Sequence, residues 1–196
     1  ITTQGDFQEI LALLEKTEKI GLDTETTSLN VTQASIVGIS FAFAPGEAVY
    51  VPLAHTLSAE QLSVTETLVA LKPYLESEKL LKVGQNIKYD QHILARYGIF
   101  LKGIAGDSML ASYVLESHLS HGLDDLAPRH LGWTTTTFES LCGKGAKQIS
   151  FADVAIEDAY PYAAQDADFA LRLERCIVDK MTEKQKQVYQ QIELPV

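Results

Sequence analysis

The 196 residues fit one domain, since domains run to roughly 100–200 residues, and 46% hydrophobic with 21% charged residues is ordinary for a folded globular chain. No apolar stretch approaches the roughly 18–20 residues needed to span a bilayer, and Cys142 and Cys176 neither form a disulfide framework nor show zinc spacing, which suits a reducing cytoplasm. The formal net charge of −10 argues, taken alone, against a polyanionic partner.

Phe7, Ile10, Leu11 and Leu14 lie at helical spacing and predict a first helix over 7–14, with Gly5-Asp6 as its start signal. Three strand-like runs follow, 19–25, 34–43 and 47–52, and the turn residues Ala44-Pro45-Gly46 make the last two a hairpin. A helix is expected over 58–75, opened by the capping box Ser58-Ala-Glu-Gln61. A short strand at 80–83 precedes a helix over 87–97 stopped by Gly98, and 99–104 reads as another short strand. The remainder is mostly helical: 107–116 with Asp107 as N-cap, 123–131, a short turn near Phe138, and 151–157. A long helix is expected from 161 to 192 with Pro161 in its first turn. Gly143-Lys-Gly-Ala-Lys147 reads as a mobile basic loop. Strands first and helices after predict an α/β architecture, a mixed sheet covered by helices.

Asp23 and Glu25 end the first strand-like run two residues apart, so both side chains project from the same face. Two such anions repel, and a divalent cation between them relieves the cost. Asp90 ends the run Gly84-Gln-Asn-Ile-Lys-Tyr-Asp90, sharing a helix face with Asn86, and Asp166 ends Tyr162-Ala-Ala-Gln-Asp166, sharing one with Tyr162. Each feature alone has a plainer explanation: a polar strand end, a solvated helix acid, a core aromatic with a wet tip. Four acids from three distant segments point instead to a metal-dependent active site. Asp124-Asp125, Asp153, Glu157-Asp158 and Asp168 read as solvated helix faces, and His118 and His121 lack companions to complete a ligand set.

The three acidic segments resemble the three motifs of the DnaQ-like (DEDD) 3′–5′ exonucleases, tyrosine subgroup, because Tyr162 stands four residues before Asp166. Val83-Gly-Gln-Asn-Ile-Lys-Tyr-Asp90, Tyr162-Ala-Ala-Gln-Asp-Ala-Asp168, His121-Gly-Leu-Asp-Asp-Leu-Ala127 and Phe138-Glu-Ser-Leu-Cys-Gly-Lys-Gly145 are similar to the proofreading domains of bacterial polymerases of the DNA polymerase I type. The resemblance implies a ribonuclease H-like fold, a mixed five-stranded sheet flanked by helices. It implies two Mg²⁺ ions about 3.5–4 Å apart, replaceable by Mn²⁺. Asp23, Glu25 and Asp166 would hold the first ion; Asp23 would reach the second, with Asp90 acting mainly through water. Tyr162 would orient the attacking water, and Thr26, Leu29, Gln85, Asn86, Tyr89 and Phe138 would grip the substrate.

The expected activity is hydrolysis of the last phosphodiester of a single-stranded or frayed DNA 3′ end, releasing 5′-mononucleotides and proofreading for a polymerase domain in cis. An RNA-trimming exonuclease of the same superfamily and a non-catalytic scaffold domain are the alternatives, and for Phe138 ordinary packing competes with base stacking. The chain opens at Ile1 without Met, and Glu193-Leu-Pro-Val196 follows a helical stretch. Residues 1–190 are therefore expected to be an exonuclease domain of a longer protein, and 191–196 the start of a linker into a polymerase domain. A bacterial, nucleoid-associated cytoplasmic location, no membrane partner and a monomeric state complete the expectations.

Overall fold

Alternation of apolar residues with the acids builds the centre of the molecule. In the computed structural model, which describes residues 1–195, strand β1 (Lys19–Thr26) turns Ile20, Leu22 and Thr24 to one face and Gly21, Asp23 and Glu25 to the other. It pairs antiparallel with β2 (Ile36–Ala44), which pairs antiparallel with β3 (Glu47–Pro52). On its other side β1 runs parallel to β4 (Leu81–Gly84), and β4 to β5 (Ile104–Asp107). The five-stranded order is β3-β2-β1-β4-β5, the mixed sheet of a ribonuclease H-like α/β fold. Val196, the last residue of the expected linker, lies outside the described residues.

One face is covered by α1 (Gln4–Lys16), α2 (Val64–Leu75) and α3 (Ile87–Arg96), whose Phe7, Leu14, Leu71 and Ile93 pack against Ile20, Leu22 and Phe41. The other carries α4 (Ser108–Glu116) and the long α7 (Ile156–Asp179), with the short α5 (Leu123–Leu126), α6 (Phe138–Cys142) and α8 (Glu183–Val188) at the margins. Gly21 sets how closely α7 approaches. A Cβ there would sit 2.3 Å from the Ala167 carbonyl oxygen, so only glycine lets the helix lie directly on β1.

Several boundaries depart from expectation. Ser63, not Ser58, caps α2, because Gln61 turns back to accept from His55 N–H and donate to the His55 carbonyl. The second parallel strand begins at Ile104, after Gly103 takes a left-handed φ of 67° and Lys102 N–H bonds Leu75 O. Residues 151–153 form only a 3-10 turn, and α7 starts at Ile156, so Pro161 lies inside it with its ring exposed. The long helix stops at Asp179, and Thr182 and Gln185 form a capping box that starts α8. The stretch from Gly143 to Lys147 contains a 3-10 turn. Asp168 is not a solvated acid: it is buried, accepting from Gly46 N–H and pairing with Arg172.

Candidate active site

Three elements bring the acids together. Asp23 and Glu25 point from β1 towards α7, which presents Asp166 one residue before the Ala167 that touches Gly21. One oxygen from each of the three lies within 4.8 Å of the others. Asp90 reaches the same strand from the opposite face. Its Oδ1 accepts from both Thr24 N–H (2.9 Å) and the Thr24 hydroxyl (2.5 Å), so the residue between the paired acids anchors the fourth. Tyr162 stands one turn before Asp166, on the cleft wall.

The electrostatics follow from burial. It pushes Asp23 up to about 7 and holds Glu25, Asp90 and Asp166 well above the usual carboxylate range. Asp23 is the next cause for each of those three, as expected for like charges confined together. Glu25 Oε1 is buried without a hydrogen-bond partner. An orphaned carboxylate oxygen amid like charge, with only oxygen donors around it, fits a hard divalent cation rather than zinc. Burial, then Asp166, raises the Tyr162 hydroxyl pKa, which keeps it protonated as a hydrogen-bond donor.

A cleft of about 410 Å³ opens over these groups. Asp23, Glu25 and Asp166 line it together with Tyr162, and Thr26, Leu29, Tyr89 and Phe138 lie along it. Leu29 is 91% exposed, an unusual position for an apolar side chain. Phe138 stacks near-parallel to Phe151 with centroids 6.4 Å apart and meets Tyr162 edge-on at 6.5 Å, so packing and cleft lining are both its roles. The Tyr89 hydroxyl donates to Ser28 O (2.6 Å) and bonds the Thr26 hydroxyl, tying down the loop that carries Leu29.

Gln85 and Asn86 are not brought into this cleft. Gln85 donates to His121 O and accepts from the Ser108 hydroxyl, committing both ends of its amide. Asn86 caps α3 through a left-handed backbone, φ 59° and ψ 46°, with its side chain exposed. His121 bonds the Ser112 hydroxyl and stacks on Tyr113, away from any ligand set among the described residues.

Sequence reading missed the support behind Glu25. Gly38 pairs with Glu25 across the sheet, and a Cβ on it would overlap the Tyr50 hydroxyl at 2.1 Å. That hydroxyl donates to His55 Nε2 (2.7 Å), while His55 Nδ1–H donates to Val154 O (2.9 Å). The signal was a tyrosine on the acid-bearing face of a strand, which period-2 alternation exposes once β3 is placed in register.

Residues 1–184 match a family described as 3′–5′ exonuclease. The chain belongs to that exonuclease family. It is 50% identical over 186 residues to DNA polymerase I of Pseudomonas aeruginosa, covering 92% of this chain and 20% of the relative. It is 37% identical over 192 residues to DNA polymerase I of Chloroflexus aurantiacus, covering 96% and 20%. The exonuclease chain thus spans about a fifth of the length of these relatives. Among solved structures, the fold is similar to the POL domain of Pol1 from M. smegmatis in complex with DNA primer-template and dNTP. There the TM-score is 0.74 at 20% identity, over 98% of this chain and 29% of that one. The catalytic core of RRP6 from Trypanosoma brucei gives 0.70 at 15% identity, over 97% and 49%. No helix among the described residues is long and apolar enough to cross a membrane.

Proposed function

We propose that this exonuclease removes the terminal nucleotide from single-stranded or frayed DNA 3′ ends, releasing 5′-mononucleotides, and proofreads for a family A polymerase domain in cis. The observation that carries the reading is the meeting of Asp23, Glu25 and Asp166 within 4.8 Å, with Glu25 Oε1 left buried and unpaired. The DNA assignment draws on the relatives, which are named DNA polymerase I.

Asp23, Glu25 and Asp166 would hold one Mg²⁺ or Mn²⁺, and Asp23 with Asp90, through water, a second. Bound there, divalent ions acidify a water and offset charge on the phosphate and the leaving 3′ oxygen. Tyr162, kept protonated by its surroundings, donates to and orients the attacking water, and Glu25 accepts from it. Leu29 and Phe138 pack on the terminal bases, where aromatic stacking contributes roughly 1–3 kcal/mol per base. Thr26 and Tyr89 fix the loop against which the last sugar rests, and Gln85 and Asn86 shape the backbone beneath. The net charge of −10 makes affinity for a nucleic acid low in the isolated chain, so a basic neighbouring domain would supply long-range attraction.

The test compares equal-length DNA and RNA single strands with Mg²⁺, for the parent and for Asp166→Ala. Release of 5′-mononucleotides from DNA by the parent alone supports the reading. Full activity in Asp166→Ala, or a clear preference for RNA, overturns it.

A further inference from the structure

Asp107 ends β5 with its carboxylate buried, at 1% exposure. It caps α4 as its position before that helix requires: Oδ1 accepts from Met109 N–H (2.9 Å) and Leu110 N–H (3.1 Å). The same carboxylate also reaches a second helix. Asn86 N–H donates to Oδ1 (3.2 Å) and Ile87 N–H to Oδ2 (2.8 Å). Asn86 makes no side-chain cap of its own, and its backbone is the only left-handed non-glycine among the described residues. The first amides of α3 would otherwise be orphaned in a buried place. One carboxylate therefore starts two helices.

The helix that Asp107 starts by proxy is the one that carries Asp90 in its first turn. We propose that Asp107 is a positioning residue of this exonuclease: by holding the left-handed turn at Asn86 and the first amide of α3, it sets the depth at which Asp90 meets Thr24. Its own backbone is fixed from the far side, where its N–H donates to the Tyr189 hydroxyl (2.7 Å). Asp107 touches no substrate; it acts through the helix. The inference rests on the reading of Asp90 as part of the metal site.

Two variants separate the two caps. In Asp107→Asn the amide oxygen still caps α4, while the NH₂ group replaces Oδ2 and confronts the Ile87 N–H with a second donor. In Asp107→Ser the hydroxyl still caps α4 and is too short to reach α3. Both are measured beside the parent and Asp90→Ala for thermal midpoint, Mn²⁺ binding, and kcat and KM on a single-stranded DNA oligonucleotide. The expected result is folded variants with kcat lower by about tenfold or more, KM within about twofold, and Mn²⁺ binding weakened. A merely structural cap would lower the thermal midpoint and leave kcat and Mn²⁺ binding alone. Parental kcat and Mn²⁺ binding in both variants, with Asp90→Ala inactive, overturns the positioning role and spares the metal site. Full activity in Asp90→Ala instead overturns the metal-site reading itself.

Discussion

Thr24 holds Asp90 twice, through its backbone N–H and its hydroxyl, and both bonds end on the same oxygen. The residue is the middle letter of the Asp-x-Glu motif, facing the other side of the sheet from its neighbours. Thr24→Val keeps the shape and removes one hydrogen bond to a buried carboxyl group, at a cost of about 0.5–3 kcal/mol. Asp90 then has a single tether. The expected outcome is a lower denaturation midpoint and a kcat reduced by about tenfold on single-stranded DNA; a kcat equal to the parent's would show that the hydroxyl serves the fold alone.

Asp23→Asn removes one anion from a group packed within 4.8 Å. Burial penalises the charge, with Asp23 raised from 3.8 to about 7, which at neutral pH corresponds to at most about 4 kcal/mol. In a divalent chelator the variant should therefore melt at a higher temperature than the parent while losing activity by a factor on the order of a thousand. Mn²⁺ should raise the parent's midpoint and leave the variant's nearly unmoved. Calorimetry with and without Mn²⁺ checks this, and a parent insensitive to millimolar Mn²⁺ would contradict it.

Gly21→Ala places a methyl 2.3 Å from the Ala167 carbonyl oxygen. The helix must lift, and Asp166 moves with it. Overpacking of this kind costs about 1–3 kcal/mol, and the loss of activity should exceed what the lower stability explains. Rates measured well below the new midpoint make the comparison.

His55 titrates behind the site. Burial lowers its pKa from the ordinary 6.5, against the Val154 carbonyl, which raises it. The folded state thus binds its proton less readily than the unfolded one. The stability it contributes is full above about pH 6.5 and is lost as pH falls through the lowered folded value. His55→Gln retains a donor for Val154 O and an acceptor for Tyr50 without a titrating ring. Its urea midpoint should fall less than the parent's on acidification from about pH 7 to 5; equal slopes would remove His55 from the acid limb.

Legibility in the sequence tracked the range of each interaction. Asp23 and Glu25 were readable because strand alternation is local, and Tyr162 and Asp166 because a helical turn is local. The hairpin through Ala44-Pro45-Gly46 formed as its turn residues dictate. What eluded the reading depended on partners outside the helix or strand in which each residue was read. Gln61 looked like a capping-box glutamine until His55 claimed it. Asp168 looked solvated because Gly46, 122 positions away, is invisible from α7. The break before α8 was the exception: Thr182 and Gln185 spelled a capping box, obscured by the continuous helical propensity around them.

Asp23 and Glu25 stand where β1 pairs only with β2, since its parallel pairing with β4 covers Lys19–Gly21 and stops short of them. Crowded anions at a free strand end could ease their quarrel by fraying, but Ala167 of α7 lies on Gly21 and Thr24 is tied to Asp90, so this end has little room to surrender. The strain is therefore shared by β1, α3 and α7, which carry the four acids, and an incoming counter-ion relaxes it in all three at once. Readiness to capture metal and resistance to unfolding become opposite ends of one lever, so a chain made sturdier by neutralising this spot would be sturdier because it had given up its work.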